Sequence, residues 1–414
     1  MSTTNAQRSL LDRWRRPALP IGVDFGADGV RLVQVEASGE QLSVIAAARE
    51  RWADSVRERV GNSQRPPDLQ SVRPILDRMH RQGGFLGRRI AIALPRELVQ
   101  VKNIRMPVMP EAETAEAARF EAQQVLDGVR LDTHEIRVVP LGEVKQGGEV
   151  RQDVLLLAVR RDDVDALVEQ WHAVGFEPAS IDFEPAAIYR AVERFVRRRD
   201  DESEVHALID VGHRRTSVVI GRGRELNFYK AVDIGGQHLN AAVAKTLGLS
   251  IDEARSLRAR LAATANEAAT PGDEDPVRQA VYDTLRPGVE QLGREVGLCL
   301  RYFSVNFRGR RPTRVRVVGG TSNDPAVLRI LASALPVPID VGVPITNADL
   351  TRLRPADRTT ALAEWTVAFG LSLRQCRGTF ADLTGASRDE QFFDQLTADV
   401  TPATSAAGED LVHA

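Results

Sequence analysis

The sequence predicts an α/β fold built of two sheet-centred lobes. Three observations predict it. Short β-branched runs alternate with helical patterns along most of the chain. Two halves each open with a strand–turn–strand unit whose turn carries an Asp and a Gly: Ile21-Gly-Val-Asp-Phe-Gly26 and Leu208-Ile-Asp-Val-Gly-His-Arg-Arg-Thr216. A further glycine turn, Val315-Arg-Val-Val-Gly-Gly-Thr321, ends a strand late in the second half. No close sequence repeat links the halves, yet their strand order is similar. At 414 residues and 43% hydrophobic content, the chain can bury a sizeable core in two to four domains.

Residues 1–18 are polar and basic, with Leu10, Leu11 and Trp14 at helical spacing. They read as a flexible leader, the alternative being a weak membrane or partner contact. Strands follow at 20–26, 30–36 and 42–48. A proline-containing loop at 61–68 precedes a helix at 69–82 and a strand at 89–94. The texture changes at 95–171, where strands at 135–141 and 151–159 form a hairpin around Gly147-Gly148. A helix at 111–126 has Pro110 near its first turn and acids early, both favourable at a positive helix end. Asp162 or Asp163 caps another helix, which carries Val164, Leu167, Val168 and Trp171 on one face and stops at Gly175. This β-α-β-β-α stretch reads as a compact insert. The first lobe is then 19–94 with 172–204, including a charged linker at 197–204.

The second lobe is expected at 205–235 and 309–360. Its strands are 207–211, 216–220 and 226–232, with a turn at Gly221–Gly223. A helical subdomain at 236–308 starts at Gly235-Gly236, and its first helix ends at Gly248. Ser250 with Glu253 is a capping box opening the next helix. Residues 264–276 read as a loop and 287–305 as a long helix with Leu292, Val296, Leu300 and Phe303 on one face. Asp324-Pro325 starts a helix through Leu335, 361–381 carries a closing helix, and 382–414 reads as a disordered tail.

Net charge is −2, with acids interspersed among the arginines, so no basic field argues for nucleic acid. The two cysteines, Cys299 and Cys376, show no metal-ligand spacing, which speaks against zinc and against a secreted disulfide framework. Cys299 lies in an apolar helical pattern and is expected to be buried. The longest apolar run, Val154 to Val159, is strand length, far below a membrane span. The N-terminus lacks a signal-peptide core, so the cytoplasm is the expected compartment.

Glycine-rich turns between strands let backbone amides approach a phosphate without interference from Cβ. An Asp just before such a turn repels phosphate directly, but fits if Mg²⁺ or its waters lie between them. Asp24 and Asp210 would then face one metal from opposite lobes, with Asp28 an alternative metal-facing residue. Thr216 is placed to donate to a phosphate oxygen. Gly235-Gly236 and Gly319-Gly320 are placed for close approach to a sugar and base. Glu184, at a strand end, is placed to orient water.

The DxG of Asp24–Gly26, the DVGxxxT of Asp210–Thr216 and the pair Gly319-Gly320 resemble the phosphate and adenosine motifs of the actin-like ATPase superfamily. More specifically, residues 21–374 resemble PilM-type type IV pilus assembly proteins. The supporting stretches are Arg119-Phe-Glu-Ala-Gln-Gln124, Leu155-Leu-Leu-Ala-Val-Arg160, Gly175-Phe-Glu-Pro-Ala-Ser-Ile-Asp182, Asp233-Ile-Gly-Gly236, Ile251-Asp-Glu-Ala254, Leu300-Arg-Tyr-Phe303 and Ala368-Phe-Gly-Leu-Ser-Leu-Arg374. The resemblance implies an actin-like (ribonuclease H-like) core with an FtsA-like inserted subdomain. It implies ATP and Mg²⁺ as ligands and the cytoplasmic N-terminal segment of a PilN-like membrane protein as partner. Other pilus platform components, motor ATPases and a second copy of the chain are further expected partners, at the cytoplasmic face of the inner membrane.

By the same resemblance, nucleotide contacts fall to Asp24, Gly26, Ala27, Asp28, Gly29 and Arg31 at the first turn. Gly212 and Thr216 serve the second, and Gly235, Gly236, Glu253, Arg255, Arg258, Gly319 and Gly320 the nucleoside. Glu184 and Asp210 are the candidate catalytic residues. Three departures bear on activity. Ala27-Asp28-Gly29 stands where the family usually has small hydroxyl residues. Arg255 and Arg258 stand where a Glu and a Lys usually contact the nucleoside, and Arg cannot replace a carboxylate acceptor. Gly342-Val-Pro344 replaces an Asn-Pro-Phe. A scaffold that holds ATP with weak or absent turnover is therefore expected. The alternatives are an FtsA-like membrane-tethered filament former, a GspL-like secretion subunit and a small-molecule kinase of the same superfamily. The first would want a basic amphipathic C-terminal helix, the second normally a membrane span, and the third a catalytic base with a sugar pocket.

Overall fold

The computed structural model of the chain describes residues 18–38, 41–53, 56, 68–146, 148–193, 203–264, 275–307, 311–358 and 361–375. Residues 1–17 of the expected leader, most of the loop at 61–68, the linker at 197–202, the loop at 265–274, residues 376–381 of the closing segment with Cys376, and the tail lie outside the described residues.

In chain order, the first half runs β1 (Ile21–Phe25), β2 (Gly29–Ser38), β3 (Gln41–Arg51), α1 (Arg73–Gly83) and β4 (Arg89–Ala93). Then come β5 (Gln100–Pro107), α2 (Glu111–Val125), β6 (His134–Gln146), β7 (Glu149–Arg160), α3 (Arg161–Ala173), β8 (Glu177–Asp182) and α4 (Glu184–Glu193). The second half runs β9 (Val205–Val211), β10 (Thr216–Arg222), β11 (Glu225–Val232), α5 (Gly236–Leu247), α6 (Ile251–Ala263), α7 (Pro276–Asn306), β12 (Val315–Val318), α8 (Pro325–Ala334) and β13 (Ile339–Val341). The chain then returns to the first half with α9 (Thr366–Ser372).

Two five-stranded sheets have the same topology. Their orders are β3-β2-β1-β4-β8 and β11-β10-β9-β12-β13. In each, a three-strand antiparallel meander is extended by two strands parallel to the first. The halves are thus structural repeats, although their sequences share no visible repeat. All seven residues of β9 are buried, as expected for a central strand covered on both faces.

Each sheet has its own core. The first is filled by Trp52, Leu76, Phe85, Trp171 and Phe176. The second is filled by the inner faces of β9–β12 and helices α5, α7 and α8. Helix α9 crosses α4 so closely that a Cβ at Gly370 would collide with the Ala187 carbonyl, so only glycine fits. Arg190 on α4 locks the crossing by reaching Asp182 (2.7 Å) and the Gly370 carbonyl (3.0 Å). Residue 349 returns to the edge of β3, where Asp349 donates to the Leu42 carbonyl (2.7 Å) and accepts from the Val44 amide (2.9 Å).

Three expectations need correction. The insert was expected to close with the helix ending near 171. Strands β5, β7 and β6 do form a separate sheet, with its own core of Met106, Ala118, Ala122, Ile136 and Leu156. Helix α3, however, points Val164, Leu167, Val168 and Trp171 into the first lobe's core. Its cap is Arg160 in extended conformation; Asp162 and Asp163 sit in the first turn, where they complement the helix dipole. The long helix expected at 287–305 begins at Pro276, capped by the Asp275 side chain, and includes Pro287 in its interior. Burial of Val281, Leu285 and Val289 along the same stripe outweighs the backbone bond that Pro287 removes.

The insert is also pinned to the second lobe. Asn227 on β11 donates to the Leu141 carbonyl (2.8 Å). Arg105 on β5 forks onto Asp153 (2.6 and 3.1 Å) and extends to Tyr302 (3.1 Å) and Asn306 (3.2 Å) on α7.

Candidate functional site

The first two glycine turns have one geometry. The Gly26 amide donates to the Gly29 carbonyl (2.9 Å), and the Gly212 amide donates to the Arg215 carbonyl (3.0 Å). Asp24 and Asp210 precede these turns by the same two residues, near the ends of equivalent strands. The third turn completes the arrangement. Gly319 follows β12, adopts φ = 85°, and a Cβ there would drive into the Asp210 carboxylate and approach the Val211 carbonyl. No other residue satisfies both constraints. Its amide donates across to the Ala363 carbonyl (3.1 Å), on the segment that returns to the first lobe.

The turns enclose a cavity of about 540 Å³ between the lobes. Of the residues singled out in the sequence, Asp24, Gly26, Ala27, Asp28, Arg31, Glu184, Asp210, Gly212, Gly236, Arg255, Arg258, Gly319 and Gly320 line it. Gly29, Thr216, Gly235 and Glu253 do not. Gly29 packs against the Glu50 backbone. The Thr216 hydroxyl is buried and donates to the Ile234 carbonyl (2.6 Å), just past β11. Gly235 is the N-cap of α5 and lies against the His213–Arg215 backbone. Glu253 closes the capping box, accepting from the Ser250 amide (2.8 Å). Among the described residues no group of three His, Cys, Asp or Glu side chains is arranged to hold a metal ion directly.

Carboxylates converge on the cavity and shift one another. Burial, then Asp210 and Asp24, push the Glu184 carboxyl up to about 8, although it accepts a hydrogen bond from Ser217 Oγ (3.2 Å). Burial and Asp24 push Asp210 up to about 7. Burial also raises Asp24, against the opposing pull of Arg31 at 3.2 Å. Arg31 lies between Asp24 and Glu364 (3.6 Å), and Glu364 also receives Arg49 (3.2 Å). Nothing in local sequence marked Glu364, which reaches the site from the far end of the chain.

The two arginines expected at the nucleoside are already engaged. Arg258 reaches the Gly236 carbonyl (3.4 Å), Asn240 (2.6 Å) and Asp324 (2.7 Å). Arg255 pairs with Asp28 (3.1 Å) and Asp252 (3.3 Å). Yet Nε of Arg31, Arg96 and Arg258 and Nδ2 of Asn323 are buried without a hydrogen-bond partner among the described residues. All four residues line the cavity, and all four atoms only donate. A buried donor left unpaired is costly, so the cavity suits a ligand rich in acceptors. Asn323 was missed in the sequence; its position three residues past Gly320 was the available signal.

Two lobes of one topology, meeting at a cleft lined by three glycine turns, define an actin-like ATPase fold. Within that fold class the chain belongs to the type IV pilus assembly protein PilM family, whose profile matches residues 22–376. The solved PilM–PilN type IV pilus biogenesis complex shares the fold at a TM-score of 0.69 and 21% identity, covering 87% of this chain and 99% of that one. Ethanolamine utilization protein EutJ from Carboxydothermus hydrogenoformans gives 0.49 and 15%, covering 87% and 90%. MreB 5 of Spiroplasma citri bound to AMPPNP gives 0.48 and 11%, covering 92% and 100%. No curated protein matches the chain in sequence. Among the described residues no helix is long and apolar enough to cross a membrane.

Proposed function

We propose that the chain is a scaffold of the type IV pilus inner-membrane platform that holds ATP with Mg²⁺ between its lobes. Its partner is the cytoplasmic N-terminal segment of a PilN-like membrane protein, which keeps it at the cytoplasmic face of the membrane. The unpaired donors of Arg31, Arg96, Arg258 and Asn323 around one cavity carry the nucleotide half. Membership of the PilM family, whose solved relative is a PilM–PilN complex, supports the partner half.

In this reading Arg31, Arg258 and Asn323 would donate to the nucleotide, and Asp24 and Asp210 would face the hydrated metal. Bound Mg²⁺ would supply the positive charge that the converging carboxylates lack. Glu184 would orient water; in the nucleotide-free cavity, burial and the neighbouring Asp210 and Asp24 raise its carboxyl to about 8. Weak or absent turnover is inferred from Ala27-Asp28-Gly29, Arg255 and Arg258, which stand where the family usually has other residues.

Titration calorimetry with ATP and Mg²⁺ tests the nucleotide half. Heat of binding together with a raised melting temperature supports it, and absence of both overturns it. Pull-down with a PilN-like N-terminal peptide, at several salt and nucleotide concentrations, tests the partner half; no capture under any of them overturns it.

A further inference from the structure

Asp28 and Arg255 drew notice in the sequence as features of two separate motifs. In the structure they are each other's partners. Asp28 sits in the β1–β2 turn of the first lobe, and Arg255 sits on α6 of the second. Their side chains meet at 3.1 Å across the cavity that both line. His213, in the second lobe's own glycine turn, comes within 4.0 Å of the same Asp28 oxygen. Both side chains of the pair are mostly covered, 22% and 24% exposed, so the attraction is less screened than at an open surface. Beside it, Arg214 reaches Glu97, just past β4 in the first half of the chain, at 3.4 Å, with about a third of each side chain exposed.

Each lobe contributes one charge, so closing the cleft forms the pair and opening it breaks the pair. Arg255 sends one guanidinium nitrogen to Asp28 and the other to Asp252. A phosphate in the cavity would compete with Asp28 for that guanidinium and would be repelled by the Asp28 carboxylate itself.

We propose that Asp28 and Arg255 form a clasp that holds the lobes together without nucleotide, and that an anionic ligand binds by taking Arg255 from Asp28. The ligand half rests on the nucleotide reading above; the clasp itself does not.

The test uses the full chain in a Cys376→Ser background, spin-labelled through Arg81→Cys and Thr246→Cys, one exposed site on each lobe. Pulsed dipolar spectroscopy without nucleotide reads the distance between lobes. The wild-type clasp gives one narrow distribution. Asp28→Asn and Arg255→Gln each broaden it to longer distances, and the double variant broadens it no further than either alone, as partners in one interaction should. Cooperative melting checks that each variant is folded. Unchanged distributions in both single variants, or additive broadening in the double, overturn the clasp.

ATP–Mg²⁺ titration is the second arm. Asp28→Asn binds about tenfold tighter than wild type, within the usual range of coupling between linked equilibria, whereas Arg255→Gln binds more weakly. Equal affinity in wild type and Asp28→Asn overturns the competition. If no form binds ATP, the nucleotide reading fails while the distance measurement still decides the clasp.

Discussion

Replacing Glu184 with Gln should stabilise the nucleotide-free protein, and should do so only above acid pH. The side chain opens α4 and accepts from Ser217 Oγ, a bond that a glutamine oxygen can keep. Burial and two neighbouring carboxylates raise its carboxyl from 4.5 to about 8. The folded value lies above the unfolded one, so the fold favours the protonated form. Its contribution to stability is therefore complete below pH 4.5 and drains away as pH rises through about 8. At 1.36 kcal/mol per unit, the full loss is about 5 kcal/mol. A proton on Asp210 relieves part of the same repulsion, so one substitution should recover about 2 kcal/mol at pH 8. Calorimetric melts of wild type and Glu184→Gln at pH 5 and pH 8 make the comparison. The variant should melt a few degrees higher at pH 8, with the gap nearly closed at pH 5. A variant that melts lower at both values, or whose melting temperature follows pH as steeply as wild type, would refute the electrostatic account.

Pro287→Ala should raise the melting temperature, because it restores a backbone hydrogen bond inside α7; a gain of roughly 1–3 kcal/mol is expected, and a loss in urea unfolding would mean that the proline is needed for the path of the helix. Gly319→Ala should cost at least about 2 kcal/mol, since φ = 85° and the Asp210 carboxylate both exclude a methyl group, and ATP affinity measured by calorimetry should fall with it. Arg105→Ala should leave Asp153, 8% exposed, without its guanidinium, costing about 2–3 kcal/mol. Hydrogen exchange should then speed up in β5 and β7 and at the C-terminal end of α7, and unchanged exchange there would show that the insert does not depend on this link to the second lobe.

What was legible in the sequence was what local chemistry decides. Alternating β-branched runs and Asp-x-Gly turns mark β1, β9 and the two turns because a strand's period and a glycine's freedom act over a few residues. Locality also explains Glu253, which was read as ligand-facing but is engaged by Ser250 three residues away. Thr216, in contrast, is engaged by the Ile234 carbonyl, 18 residues away, which local sequence does not reveal. Arg31 and Glu364 meet only because the chain returns through α9, and the face that α3 buries depends on a core assembled from both sides of the insert. The similar order of strands along the two halves was legible, but which strands lie side by side in each sheet was not, since pairing follows from hydrophobic pattern and connection length, which many unrelated sequences satisfy. The halves diverge at their turns. The first carries Ala27-Asp28 where the second carries His213-Arg214, and each turn sends a charge to the opposite half of the chain. A repeat whose equivalent turns carry charges for the other half is built so that its two sheets are held by the cleft between them. The residues lining that cleft therefore govern how the lobes sit as well as what they bind.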